Sequence, residues 1–380
     1  MRERDSVGSY DEVLAAATRA TGLDDLGDHT HEEGLRVLLD SYATEAGLTP
    51  AGNHRMRGTV KGLLAAKMVA QQGFLAHPSY ADVPVERPVF VMGLPRSGTT
   101  LMQRLLTADP AHQGLEQWLA DLPQPRPPRE SWDDDPIFSA VQQGYLAFHE
   151  ANPELAGIHY SDATTHEECW RLLQHSGMSV AFETQAHVPS YSRWLQEQDW
   201  KPAYEAHRRL LQLIGANDAD RRWVLKNPSH LVALDALLGV YPDAVVVVTH
   251  RDPVVCTASM CSLAEASTRG LSTTFTGDVI GRTQLDLLAR EQAAFRSAHG
   301  SAHDSAPTIV DVEYDDLVGD PVGTTRGVYD AAGLPWSDDV AEAVSTELER
   351  SRSGVRAPRH SYDLADYGLS ADEVRSALEA

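Results

Sequence analysis

PVFVMGLPRSGTTLM, residues 88–102, is the stretch whose reading decides the fold. Val89 to Met92 form a short apolar run that suits a buried strand, and Gly93 and Gly98 bracket a tight turn that no Cβ obstructs. The chain then resumes as a helix from about Thr99 to Thr107. The N–H groups of Ser97 to Thr100 open that helix, lack partners inside it and sit at the positive end of its dipole. Strand, glycine-bounded turn and helix start together make a cradle for an anion.

The spacing from Gly93 to Gly98 matches the glycine frame of a nucleotide-binding P-loop, with one departure. Thr99 stands where a nucleoside triphosphatase carries lysine, and the cation comes earlier, as Arg96. Loss of that lysine argues against ATP or GTP hydrolysis. A guanidinium inside the turn suits a terminal phosphate or sulfuryl group gripped by a fork of donors.

Outward from this loop the chain alternates strands and helices. Trp223–Leu225, the continuous apolar run 244–250 (AVVVVTH) and 308–314 (TIVDVEY) read as further strands. Helices are expected over 136–151, 165–181 and, capped by Asn227 or Ser229, up to Gly239. The class is therefore α/β: a three-layer, P-loop-like fold with a central, mainly parallel sheet flanked by helices. Ligands of such sheets bind beyond the carboxyl ends of the strands, where Arg96, Lys226 and Arg251 stand. Residues 1–84 carry apolar residues at helical spacing before any strand signal and read as a helical extension. Residues 85–335 make the α/β core, with a helical insertion at about 120–220, and 336–380 make a helical tail whose last helix has a Ser370/Glu373 capping box.

Composition narrows the partners. A net charge of -23 over 380 residues opposes binding to nucleic acid, which needs clustered Lys and Arg. Three cysteines, Cys169, Cys256 and Cys261, show neither disulfide nor zinc spacing, so a reducing cytoplasm is expected and no metal site is. No apolar run approaches the roughly 18 residues that a membrane span requires, and no signal-peptide pattern opens the chain.

A second constellation, HRDPVVCTASM at 250–260, places Arg251 at a strand end and Ser259 eight residues later, two helical turns on. Either Arg251 forms an ion pair with Asp252 or another carboxylate while Ser259 only caps or packs, or the pair can clamp one phosphate. With PRSGTT, it resembles the sulfotransferase family, whose donor is 3′-phosphoadenosine 5′-phosphosulfate. The similarity continues through VLKNPSHLVALDALLGVYPDA (224–244) and YDDLVGDP (314–321), covering about 88–330, and RAPRHSYDLADYGLS (356–370) is similar to the tail of a bacterial subgroup. Arginine in the loop is the form of the bacterial and protein-tyrosine branches.

The resemblance implies that Pro95, Arg96, Ser97, Gly98, Thr99 and Thr100 hold the 5′ phosphosulfate, that Arg251 and Ser259 hold the 3′ phosphate, and that Lys226 with Arg96 acts on the bridging oxygen. Tyr314 either contacts the adenine or belongs to the core; Arg356, with Arg359 and His360, either completes the 3′ phosphate site or is a solvated patch. For the general base, Glu116 ranks first, near the position of the protein-tyrosine branch's glutamate, followed by Glu167 and His166 of THEECW (165–170); His112 lies close to Glu116. Thr165 and Glu168 also fit a capping box. The expected acceptor is a hydroxyl of a small molecule such as a phenol, sterol, lipid or natural product. Competing readings are a P-loop kinase or NTPase, which Thr99 opposes, and a nucleotide-binding protein without chemistry, which would have no need of Lys226 and a base.

Overall fold

The structure, a computed structural model, describes residues 5–151, 161–302, 308–353 and 363–379. Five strands, β1 Val89–Gly93, β2 His112–Gln113, β3 Arg222–Lys226, β4 Val245–His250 and β5 Thr308–Glu313, form one sheet in the order β2-β3-β1-β4-β5. Every neighbouring pair is parallel, as the alternation of strands and helices predicts.

The register decides where the site lies. Val91 pairs with Lys226 on one side of β1, and Gly93 pairs with Thr249 on the other. The ends of β1, β3 and β4 therefore emerge together. β1 is also where the strand order reverses direction, the place at which an open parallel sheet leaves a crevice for a ligand.

The pleat divides the core in two. Val89, Val91, Val224, Val245 and Val247 face one cluster, closed by Met102, Leu105 and Leu106 and by Tyr329 and Val344. Phe90, Met92, Leu225, Val246 and Val248 face a larger cluster on the opposite side. β1 is buried along its whole length, which is why its sequence is uninterruptedly apolar.

Four helices begin the chain around this sheet: α1 Tyr10–Thr21, α2 Glu32–Thr44, α3 Pro50–Ala76 and α4 Thr99–Thr107. Ser9 and Glu12 cap α1 reciprocally, and Thr49 caps α3 ahead of Pro50. Val13, Leu35, Val60 and Leu64 of α1–α3 are fully buried in the larger cluster, so the N-terminal helices share the core of the sheet.

Local readings fail where tertiary pairing overrides them. The expected helix at 165–181 is reduced to Trp170–Leu173 with 3-10 turns at Gln174–Ser176 and Val180–Phe182. Its first residues are instead pulled into extended pairing: Glu167 N–H donates to Leu115, Cys169 N–H donates to Lys226, and His166 bridges Glu116. No capping box forms there, because Thr165 bonds Asp162 and Glu168 turns to Lys226. The segment after Lys226 is a 3-10 turn, Pro228–Ala233, before the helix Leu234–Val240, and Asn227 offers it no side-chain cap. β2 has two residues, too few for any periodicity to announce. Tyr314, read as the last strand residue, begins the helix Tyr314–Gly319. The Ser370/Glu373 box forms as expected and starts the helix Ala371–Glu379.

Candidate functional site: an anion cradle beside a buried lysine

The loop after β1 is held in a conformation that few sequences accept. Gly93 has φ +141, and a Cβ there would lie 2.3 Å from the carbonyl oxygen of Thr249. Gly98 has φ +98 as N-cap of α4, and a Cβ would press on Leu317 and Tyr314. Between them Arg96 takes φ +72, a left-handed conformation uncommon for a side chain with a Cβ and characteristic of sites where geometry is imposed.

Ser97 pins this shape from within. Its hydroxyl is fully buried, donates to the carbonyl of Leu94 at 2.6 Å and lies 2.6 Å from the Thr249 hydroxyl, while its N–H also bonds Leu94. The polar groups of Ser97 are thus spent on the loop itself. The cradle falls to the N–H groups from Gly98 onward, where no side chain caps α4, and to the exposed side chains of Arg96 and Thr100; Pro95 is half-buried and Thr99 buried.

The second constellation closes on the first. The Arg96 Nε donates to Ser259 Oγ at 3.2 Å, and Arg251 donates to the Arg96 carbonyl oxygen at 2.8 Å. Arg251 also lies over the Tyr314 ring, 3.9 Å from its centroid, a cation–π contact that sets the guanidinium plane. Ser259 is carried by the helix Pro253–Thr268, whose N-cap is Asp252. Beside them a cleft of about 440 Å³, lined by His250, Arg251, Asp252, Val255, Glu313 and Tyr314, opens beyond the ends of β4 and β5. Arg96, Arg251, Ser259 and Tyr314, up to 218 residues apart in sequence, share one locus. Arg356, Arg359 and His360 fall outside the described residues.

Lys226 ends β3 on the other side of the cradle. Its ammonium is almost fully buried and forms an ion pair with Oε1 of Glu168. The remaining base candidates are arranged differently. Glu116 is clamped by the Arg126 guanidinium, which donates to its Oε2 from both Nε and Nη2, at 3.1 and 2.9 Å. Arg126 is itself locked by Gln113, Asp218 and the Gly114 carbonyl. Glu167 is buried and accepts the N–H of Glu168. Burial holds the His166 imidazole below its ordinary pKa, against the pull of Glu116, and burial does the same to His112, whose Nδ1 lies 2.7 Å from the Leu106 carbonyl. Among the described candidates, Glu168 is the carboxylate that touches Lys226. Reading THEECW as a helix start hides it, because capping would have turned Glu168 back onto its own backbone.

The three cysteines are buried and unpaired, and burial pushes each thiol above its ordinary pKa. Among the described residues no helix is long and apolar enough to cross a membrane.

Comparison with known proteins shows the family. The chain is 46% identical to the sulfotransferase STF1 of Mycobacterium tuberculosis H37Rv, with a TM-score of 0.91 over 99% of both chains. It is 26% identical to the sulfotransferase STF9 of Mycobacterium avium, with a TM-score of 0.88 over 100% of this chain and 97% of that one. The omega-hydroxy-beta-dihydromenaquinone-9 sulfotransferase Stf3 of Mycobacterium bovis is 29% identical over 264 residues, 66% of this chain and 64% of that relative's length. Residues 88–338 match the family model described as the sulfotransferase family. The match begins at the first strand of the cradle and takes in Lys226, Arg251, Ser259 and Tyr314, and on this ground the chain belongs to the sulfotransferase family.

Proposed function

We propose that this protein moves a sulfuryl group from 3′-phosphoadenosine 5′-phosphosulfate to a hydroxyl of a small molecule. The observation that carries the reading is the convergence of Arg96, Arg251 and Ser259 around the uncapped start of α4, one strand away from the buried Lys226. The fit is chemical as well as spatial. Unpaired N–H groups and an exposed guanidinium suit an anion, and a second guanidinium with a neighbouring hydroxyl suits another.

When bound, the donor supplies a sulfuryl group joined through an anhydride oxygen to a phosphate. Arg251 and Ser259 hold the 3′ phosphate, and the N–H groups of Gly98 to Thr100 orient the 5′ end. As the acceptor oxygen bonds to sulfur, the anhydride bond breaks and its electron pair remains on the phosphate oxygen. Arg96 and Lys226 stabilise the charge gathering there, which is greater in the transition state than in the ground state. The acceptor's proton passes to Glu168, the carboxylate in contact with Lys226. Glu116, neutralised by Arg126, serves to hold β2 and the following helix Gln117–Asp121 in place.

The name of the Mycobacterium bovis relative gives its acceptor as a hydroxylated menaquinone derivative, which supports a hydroxylated small molecule as the class used here. The test has two readouts. The desulfated donor, 3′-phosphoadenosine 5′-phosphate, should raise the melting temperature by several degrees at saturating concentration, while ATP with Mg²⁺ should not. Labelled sulfate should then pass to members of a phenol, sterol and lipid-alcohol panel. Stabilisation by ATP with Mg²⁺ alone would assign the cradle to a triphosphate.

A further inference from the structure

The helix Gly277–Ala302 packs on the 3-10 turn Pro228–Ala233 that follows Lys226, and what it brings there is unusual for a protein interior. Gln284 and Glu291, seven residues apart and so on one face of the helix, are 0% and 1% exposed. Glu183, 1% exposed, joins them: its backbone carbonyl accepts from the Gln284 amide at 3.5 Å, and its Oε1 accepts from Arg290 at 2.6 Å. Four oxygens of this group have no hydrogen-bond partner among the described residues: Oε2 of Glu183, Oε1 of Gln284 and both carboxylate oxygens of Glu291.

With Glu291 ionised, all four are acceptors. A buried acceptor without a donor costs about 1–3 kcal/mol, and interiors seldom tolerate one, still less four together. The deficit is on the acceptor side: the Gln284 amide is spent on the Glu183 carbonyl and Arg290 on Oε1 of Glu183, which leaves the Ser229 hydroxyl as the donor nearest Glu291, so what completes the locus must bring donors. It is also adjacent to the chemistry. Ser229, three residues past Lys226, faces Glu291, and Glu168 lies within electrostatic reach of the same carboxylate. Burial lifts the Glu291 pKa to about 7, against the opposing pull of Ser229 and Arg290, the behaviour of a carboxyl kept from water. Among the described residues no group of three or more His, Cys, Asp and Glu side chains is placed to hold a metal ion.

We propose that Glu291, Gln284 and Glu183 form a specificity subsite that receives a second hydroxyl of the acceptor, so that the preferred acceptors are diols: one hydroxyl reaches Lys226 and Glu168 while the other donates into this cluster. The inference rests on the sulfotransferase reading and adds the polarity of the acceptor's far end. A site built to pair a hydroxyl discriminates strongly against the analogue that lacks it, because its buried groups are then left without partners.

The test compares acceptors that differ by a hydroxyl against a methyl or hydrogen, in the full chain saturated with 3′-phosphoadenosine 5′-phosphate. The pairs are hydroquinone against p-cresol and 4,4′-dihydroxybiphenyl against 4-hydroxybiphenyl, spanning a short and a long separation. Calorimetry should show at least one diol binding roughly tenfold or more tightly than its partner, an amount expected for a desolvated hydrogen bond to a carboxylate. Glu291→Leu should abolish that preference, and because it removes an unpartnered buried carboxylate it should also raise the melting temperature. Gln284→Met, which keeps the volume, gives the same reading should Glu291→Leu fail to fold. Absence of any diol preference in the native chain, or its persistence in both variants, would overturn the subsite and leave ordered water as the occupant. Stabilisation by the desulfated donor is read in the same samples. If it is lacking, the sulfotransferase reading falls and this inference with it; if it is present without diol preference, only the subsite falls.

Discussion

The two sides of the site are built on opposite electrostatic plans. On the donor side, Arg96 is exposed; its side chain meets the neutral Ser259 hydroxyl and its carbonyl accepts from the Arg251 guanidinium, so its positive charge stays available to an anion. On the acceptor side, Lys226 is buried and neutralised by Glu168 before any ligand arrives. A free cation in a rigid, strained loop binds; a desolvated ion pair at a strand end holds its charge back until a neighbouring charge develops. On the proposed function, the contrast separates recognition from chemistry along the line between β1 and β3.

The largest expected break in that contrast is Lys226→Ala. Transfer of labelled sulfate should fall by about 10²–10³, the usual cost of one transition-state donor, while stabilisation by the desulfated donor persists. Equal loss of both would mean that Lys226 serves binding.

Next is Glu168→Gln, expected to lower kcat by about 10² or more with donor affinity unchanged. Its counterpart, Glu116→Gln, should act on the fold: breaking the buried pair with Arg126 removes about 3 kcal/mol of stability, read as a lowered urea midpoint, with little effect on kcat in the folded fraction. A reversal of these two outcomes would move the proton acceptor to Glu116.

On the donor side, Arg251→Ala should weaken the desulfated donor roughly tenfold to a hundredfold and leave kcat at saturation nearly intact, since a charged hydrogen bond contributes about 1.5–3 kcal/mol. A collapse of kcat at saturating donor would deny the separation of roles.

A further effect, of no more than comparable size, is in the pH dependence of stability. Glu291 titrates at about 7 in the folded chain, above the ordinary 4.5, so the folded state holds a proton that the unfolded state has released. Stability is fully present below about pH 4.5 and declines as pH rises toward 7, by about 3 kcal/mol at most. His31, held near 4, and His175, held near 3, have the opposite sign: burial depresses both, and stability is lost as pH falls below 6.5. Glu291→Gln should flatten the alkaline decline while leaving the acid limb unchanged, which melting curves across pH 4 to 8 would show.

How much of this was legible in the chain follows from the range of the interactions. The cradle depends on neighbours: an apolar strand, two glycines and a helix start within 15 residues, which is why β1 and α4 fall where the sequence places them. The parallel sheet follows from alternation alone. Ser97 is the exception inside the motif, since only the approach of Thr249 from β4 shows that its hydroxyl is turned inward. The segment 165–181 went the other way. Its composition suits a helix, but β-type pairing with Leu115 and Lys226 offers its backbone partners that local sequence does not contain.

The amino-acid sequence by itself determined the fold class, the anion cradle and the residues that end β1, β3 and β4, because each rests on contacts between near neighbours and on the period of the apolar pattern. Only the tertiary structure decided that Arg96 meets Ser259, that Glu168 and not Glu116 reaches Lys226, and that Glu183, Gln284 and Glu291 gather unpartnered oxygens beside it. Those outcomes turn on which distant segments bury one another, and burial is what sets whether a charge is free, paired or left waiting for a ligand.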